Sequence, residues 1–233
     1  MSSIFERGMA WHTYVSLEKD FIDFTRYLAL DKSNMRAWSE KGAQLLLLTG
    51  STVDSVFNQM RFSKYLPSTR PVADLRQNSM PNIGNYRDVY EEIYRLSGVE
   101  LSASYGLTNY GLIRPFHPFA PQQSPQWWEA YNDVKHDFFK NMNKGTLDNV
   151  VHALGALFTL NILEKGSQQY LLQIGVIGLG SQAIQAYFSP HWWDRWDLLK
   201  KSFVGLPKNV GFDVVARSQV FLHVFRKDES IMA

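Results

Sequence analysis

Apolar residues recur at helical steps along most of the chain. Val15, Leu17, Phe21, Phe24 and Leu28 fall near one face and predict a helix over residues 13–30. The polar run 31–35 reads as a turn. Ser39 is a good N-cap for a second helix reaching about residue 60. Its Leu45, Leu46, Leu48, Val53, Val56 and Phe57 cover most of the circumference near Leu47, which predicts a central position. Pro67, Pro71 and Pro81 make residues 66–82 a loop. Asn85 caps a third helix carrying Tyr86, Val89, Tyr90, Ile93 and Leu96, with Gly98 just past its end. A long connection over 99–125 holds Pro115, Pro118, Pro121 and Pro125. A fourth helix runs from 125 or 126 to 142, and Gly145 breaks it. Thr146 caps a fifth helix to about 165, with Asp148 in its first turn. Residues 168–188 read as helical and 191–201 as a short aromatic helix. The tail alternates through Phe212, Val214 and Ala216, then Val220, Leu222 and Val224, which predicts a hairpin around Arg217 and Ser218. The expected fold class is all-α: a helical bundle with a small C-terminal β-hairpin. It is one domain over residues 1–233, with a core at about 13–165 and an extension over 166–233.

Composition narrows the chemistry. Hydrophobic residues make up 45% and charged residues 20% of the 233 positions, an ordinary globular balance. The chain holds no cysteine, so disulfides, thiolate zinc sites and cysteine nucleophiles are all excluded. That, with no apolar core after a basic start in residues 1–11, points to the cytoplasm. A net charge of +2 exerts no strong global pull on nucleic acid, so any RNA site must be a local patch. The longest apolar stretch, about 150–163, is too short to span a bilayer. It reads as a buried core helix in which His152 is a satisfied core histidine. The six histidines, at 12, 117, 136, 152, 191 and 223, show no H-x-x-x-H or H-x-H spacing, so neither a metal nor a cofactor is expected.

The strongest local feature is WWEAYNDVKHDFF, residues 127–139, followed by TLDNVVHALGALFTL, residues 146–160. On a helix Asn132 and His136 share a face, and Tyr131 and Lys135 form the adjacent pair. A polar trio of Asn132, Lys135 and His136 thus lies beside a large apolar surface. Such a trio suits phosphodiester chemistry. An imidazole takes or gives a proton near neutral pH, a cation offsets transition-state charge, and an amide holds a phosphate oxygen. From spacing alone the commoner use is a polar seam between helices, with His136 capping it and Asn132 bonded to a neighbouring backbone.

The run YNDVKH resembles the motif of the HEPN superfamily, in which an arginine and then a small polar residue precede a histidine. Asn132 takes the polar position and His136 that of the histidine, while Tyr131 stands where the arginine would be. The helix over 38–60 is similar to the early HEPN helix, with Asp54 at the acidic position facing the motif. The resemblance covers roughly residues 13–165. It implies a HEPN-like bundle of about four or five helices that forms a homodimer, with two motif helices at one cleft. It also implies RNA as ligand and a metal-independent endoribonuclease of a toxin–antitoxin or phage-defence system, with an antitoxin or defence-system protein as partner. His136 would be the acid or base, Asn132 and Lys135 would hold phosphate, and Asp54 would orient them. Tyr131 in place of arginine moves the expectation toward weakened or lost catalysis, and toward the alternative of a non-catalytic dimerisation or protein-interaction module.

Other features carry less. Gly178, Gly180 and Ala183 spell G-x-G-x-x-A, but only about fifty residues follow and no alternating strand–helix pattern does, so a dinucleotide turn is not expected. The segment 114–125 is expected to pack over the motif helix through Phe116 and Phe119 rather than present polyproline turns to a partner. Trp192, Trp193 and Trp196 read as packing residues. Arg61, Lys64, Arg70 and Arg76 read as a solvated group, with a phosphate track as the competing use.

Overall fold

A computed structural model describes residues 4–5, 7–103, 111–179 and 214–224. It is mainly helical. Helix α1 spans Met9–Thr25, α2 Glu40–Met60, α3 Arg70–Gln77 and α4 Ile83–Tyr94. Helix α5 spans Gln126–His136, α6 Phe138–Asn141, α7 Leu147–Leu163 and α8 Lys165–Gln173. No helix among the described residues is long and apolar enough to cross a membrane.

The centre of the bundle is α7, because its sequence is apolar on every side. Of its 17 residues only Asp148 and His152 are not buried. Around it lie α1, α2, α5 and α8. The Ser39 hydroxyl accepts from the Gly42 amide at 3.0 Å, and the Thr146 hydroxyl accepts from the Asn149 amide at 3.2 Å. Both caps satisfy amides that a helix start otherwise leaves unpaired. α2 is less enclosed than its sequence implies, since Leu48 is 52% exposed while Leu45 and Leu46 are buried.

Two close backbone approaches bring α2 into the core. A side chain at Gly42 or Gly145 would strike the other segment's backbone, so the start of α2 lies directly on the turn before α7. A side chain at Gly50 would strike the ring of Tyr131. That glycine, unfavourable in a helix interior by roughly 0.5–1 kcal/mol relative to alanine, is there to receive an aromatic ring.

Phe57, Tyr86 and Tyr90 stack with centroids 5.0–6.0 Å apart, and the Tyr90 hydroxyl donates to the Phe57 carbonyl at 2.9 Å. This packing fixes α4 on α2. Burial pushes the Tyr86 phenol up to about 12.

The C-terminal hairpin forms as its alternation predicts: β4, Val214–Arg217, pairs antiparallel with β5, Phe221–Val224. It belongs to a larger sheet. β1, Leu101–Ala103, β2, Leu112–Ile113, and β3, Ile177–Leu179, complete five antiparallel strands in the order β2-β1-β5-β4-β3. Its turn is tied to the bundle. The buried Glu18 carboxylate accepts from the Tyr14 hydroxyl at 2.7 Å and from the Val220 amide at 2.9 Å.

Several boundaries differ from the sequence reading. α3 forms inside the expected loop because Pro71 sits in its first turn, where a missing N–H costs nothing. Asn82, not Asn85, caps α4, and Asn85 completes a capping box three residues on. α4 ends at Arg95, in the left-handed region at φ 50°, ahead of Gly98. The fourth helix stops at His136 instead of 142, because Asp137 adopts extended backbone and its carboxylate caps α6 at the Lys140 amide. The helix expected over 168–188 ends at Gln173 and gives way to β3. Gly180, Ala183 and the three tryptophans at 192, 193 and 196 lie outside the described residues. Gly178 is in β3, which pairs antiparallel to β4 and so lacks the parallel crossover a dinucleotide turn needs.

Candidate functional site

α5 begins on a proline and runs with its apolar positions inward. Trp127, Trp128, Tyr131 and Val134 are buried, which leaves the opposite face of its last turns to solvent. Trp127 anchors the start. Its indole N–H donates to the Pro115 carbonyl at 2.8 Å, and its ring meets Phe116 edge-on at 6.0 Å. Phe116 and Phe119 are buried, so the proline-rich segment packs over α5 as its sequence implies.

The sequence candidates divide into an exposed and a buried set. His136 is exposed, on the last residue of α5, and no described residue hydrogen-bonds its ring. Asn132 is half-exposed one turn earlier on the same face. Lys135 is exposed, and its ammonium lies 3.8 Å from the Asp54 carboxylate of α2. Tyr131 is 1% exposed and serves the core: it lies on Gly50 and meets Trp128 edge-on at 5.4 Å. Asn132, Lys135, His136 and Asp54 therefore have an accessible surface, and Tyr131 does not.

The electrostatics follow from this placement. The Tyr131 hydroxyl is buried and has no partner of good hydrogen-bond geometry among the described residues. The Lys135 ammonium sits 5.3 Å from that ring's centroid. The Tyr131 hydroxyl first, and the Asp54 charge after it, hold the Lys135 pKa above its ordinary value. At Asp54 desolvation outweighs the attraction of Lys135, so its pKa is raised. A carboxyl whose pKa is higher folded than unfolded costs stability once it ionises. That cost appears as pH rises through the ordinary aspartate value of 3.8. Asp54→Asn is therefore expected to raise Tm at pH 7, with the gain vanishing below about pH 3.8, a difference thermal scans at the two pH values read directly.

The basic group after α2 is a set of staples. Arg61 donates to the carbonyls of Leu75 and Asn78, and Arg76 donates to those of Arg61 and Ser63. With both guanidiniums spent on backbone, a phosphate track here has only Arg70 and Lys64 left. Arg70 pairs with Asp74, and Lys64 sits over the Tyr65 ring.

The sequence reading missed a second polar site. His152 is not a core histidine: it is half-exposed and faces a cleft of about 270 Å³ with Asp148, His117, Arg114 and Gln126. The signal was the Asp148–His152 spacing of four, which sets a carboxylate and an imidazole on one strip of a mainly apolar helix.

No protein-family model, no curated protein and no solved structure matches the chain.

Proposed function

We propose that this chain is an RNA-directed protein of HEPN-like type, in which the exposed face at the end of α5 meets RNA. The observation that carries this is His136, exposed and with no hydrogen-bond partner among the described residues, beside half-exposed Asn132 and the Lys135–Asp54 pair. A histidine that only capped a seam between helices would be covered and bonded. Lys135 and Asn132 supply phosphate contacts, Asp54 holds Lys135 in place, and His136 is the acid or base available there. Two copies join so that their α5 ends line one cleft, and Phe139, 83% exposed and three residues beyond His136, is an apolar contact for the second copy.

Catalysis at this face is weak in this reading. Tyr131 occupies the position of the guanidinium and is committed to the core, so charge on a reacting phosphate is offset by Lys135 in place of an arginine. The same substitution supports the second reading, a dimerisation or protein-interaction module that has lost RNA chemistry altogether. In the first reading the cellular setting is the cytoplasm and a toxin–antitoxin or phage-defence system, with a cognate partner protein.

Titration of labelled single-stranded RNA at several salt concentrations tests the reading. Each phosphate contact on a single strand contributes about 0.7 to the slope of log affinity against log salt. Lys135→Ala is expected to weaken binding and lower that slope by about 0.7. Asn132→Ala with His136→Ala is expected to weaken it further without unfolding the chain, since both side chains reach solvent. Equal slopes and affinities in all variants would remove RNA from this face.

A further inference from the structure

We propose that the cleft between the 112–118 segment and the starts of α5 and α7 is a metal-independent acid–base site for RNA phosphodiesters, with His152 as base and His117 as acid. The inference rests on the RNA-directed reading for its substrate and on separate residues for its chemistry.

α7 is buried on every side except at Asp148 and His152, so a polar pair interrupts an otherwise apolar helix where the cleft opens. The His152 Nδ1 lies 2.9 Å from the Asp148 carbonyl oxygen and 3.2 Å from its carboxylate Oδ1. Both partners are acceptors, so Nδ1 carries the hydrogen and Nε2 of the neutral ring holds a lone pair. No described residue bonds Nε2. An aspartate that fixes the tautomer and steadies the imidazolium is the arrangement a general base needs. Asp148 is thus a positioning residue.

Across the cleft stands His117, exposed on the proline-rich segment, with a ring that no described residue hydrogen-bonds. Arg114 lies beside it, held by Glu100 at 2.6 Å, and brings a guanidinium to the same cleft. Pro115, Pro118 and buried Trp127 provide apolar walls. Pro125 and Gln126, at the start of α5, complete the lining. The floor is rigid, because the indole of Trp127 ties α5 to Pro115.

The reaction needs no further reagent. The His152 Nε2 takes the proton of a ribose 2′-hydroxyl. That oxygen bonds to the adjacent phosphorus as the bond from phosphorus to the 5′-oxygen breaks, and His117 in its protonated form gives its proton to the leaving 5′-oxygen. The products are a 2′,3′-cyclic phosphate and a 5′-hydroxyl, and the two histidines end with their protons exchanged. The site lies at the opposite end of α5 from His136, about 15 Å along the axis at 1.5 Å per residue, so one strand reaches both.

The test uses the full chain, a mixed pool of single-stranded RNA oligonucleotides in EDTA, and parallel binding titrations. Wild type is expected to yield 2′,3′-cyclic phosphate ends. His152→Ala and His117→Ala are each expected to lose about 100-fold or more in rate with binding nearly unchanged, in line with ~10²–10⁴ for general acid–base help. Added imidazole is expected to restore part of the His152→Ala rate, which a merely structural defect would not allow. Cleavage that persists in both cleft variants, or that only His136→Ala abolishes, overturns the cleft assignment. RNA binding without any cleavage overturns it too and leaves the RNA-directed reading standing. Absence of both binding and cleavage overturns the two together.

Discussion

Tyr131→Arg, which writes the motif arginine back into the chain, is expected to destabilise the fold by about 3–5 kcal/mol and not to create a ribonuclease. The ring it removes is 1% exposed, lies on Gly50 and meets Trp128 at 5.4 Å. Loss of a large buried side chain costs roughly 3–5 kcal/mol by itself. The guanidinium then arrives where the Lys135 ammonium already sits, 5.3 Å from the ring centroid, with the single Asp54 carboxylate to share between two cations. Its stem recovers part of the lost packing by running over Gly50, and its charge gives that gain back. For a chain of this size each kcal/mol moves Tm by roughly 2–4 °C, so a fall of about 6–20 °C is expected in a thermal scan. An unchanged Tm with new nuclease activity would show that position 131 belongs to the site and not to the core.

Trp127→Ala is expected to cost a comparable amount, about 3–5 kcal/mol, and to do so through a different part of the molecule. Trp127 is 2% exposed and packs between Phe116 and Trp128, with centroids 6.0 and 5.7 Å away. Its indole N–H is the hydrogen bond that fastens the proline-rich segment to α5. Removing it leaves a cavity and also orphans the Pro115 carbonyl. Trp127→Phe separates the two effects: most of the packing stays, and the remaining cost of about 1–3 kcal/mol is that of the unpaired carbonyl. The two variants, compared by chemical denaturation, are expected to rank alanine well below phenylalanine, with the 112–119 segment losing amide protection in both. Equal stabilities would mean that the segment is held by Phe116 and Phe119 alone.

How far the sequence led depended on how local each determinant was. α2 and α7 were legible because Ser39 and Thr146 mark their starts and long apolar runs fill them. The hairpin was legible from its period of two. β1, β2 and β3, each two or three residues long, carry too few positions for any period; β1 and β3 find their partners in β5 and β4, from distant sequence, and β2 adds to the edge of β1. α3 was hidden by Pro71, a residue that breaks a helix interior and suits a helix start. The end of α5 was hidden because Asp137 reads as one more polar helical residue, while its carboxylate in fact caps the next turn.

The candidate site was half legible. Helical spacing placed Asn132 and His136 together on one face, while the meeting of Lys135 with Asp54 is a contact across to α2 that spacing along one helix does not give. It could not show that Tyr131 points inward, because that depends on the glycine it meets across the bundle on α2. His152 was misjudged for the converse reason: an apolar helix predicts burial on average, and the one exposed strip along α7 is set by what the 112–118 segment leaves open.

The central claim is that RNA meets the end of α5. Photo-crosslinking of single-stranded RNA carrying 4-thiouridine, followed by mass spectrometry of the crosslinked peptides, tests it most directly. Crosslinks are expected within residues 132–139, lost when Asn132 and His136 are replaced by alanine. No crosslinks, or crosslinks confined to peptides outside residues 132–139, would contradict it.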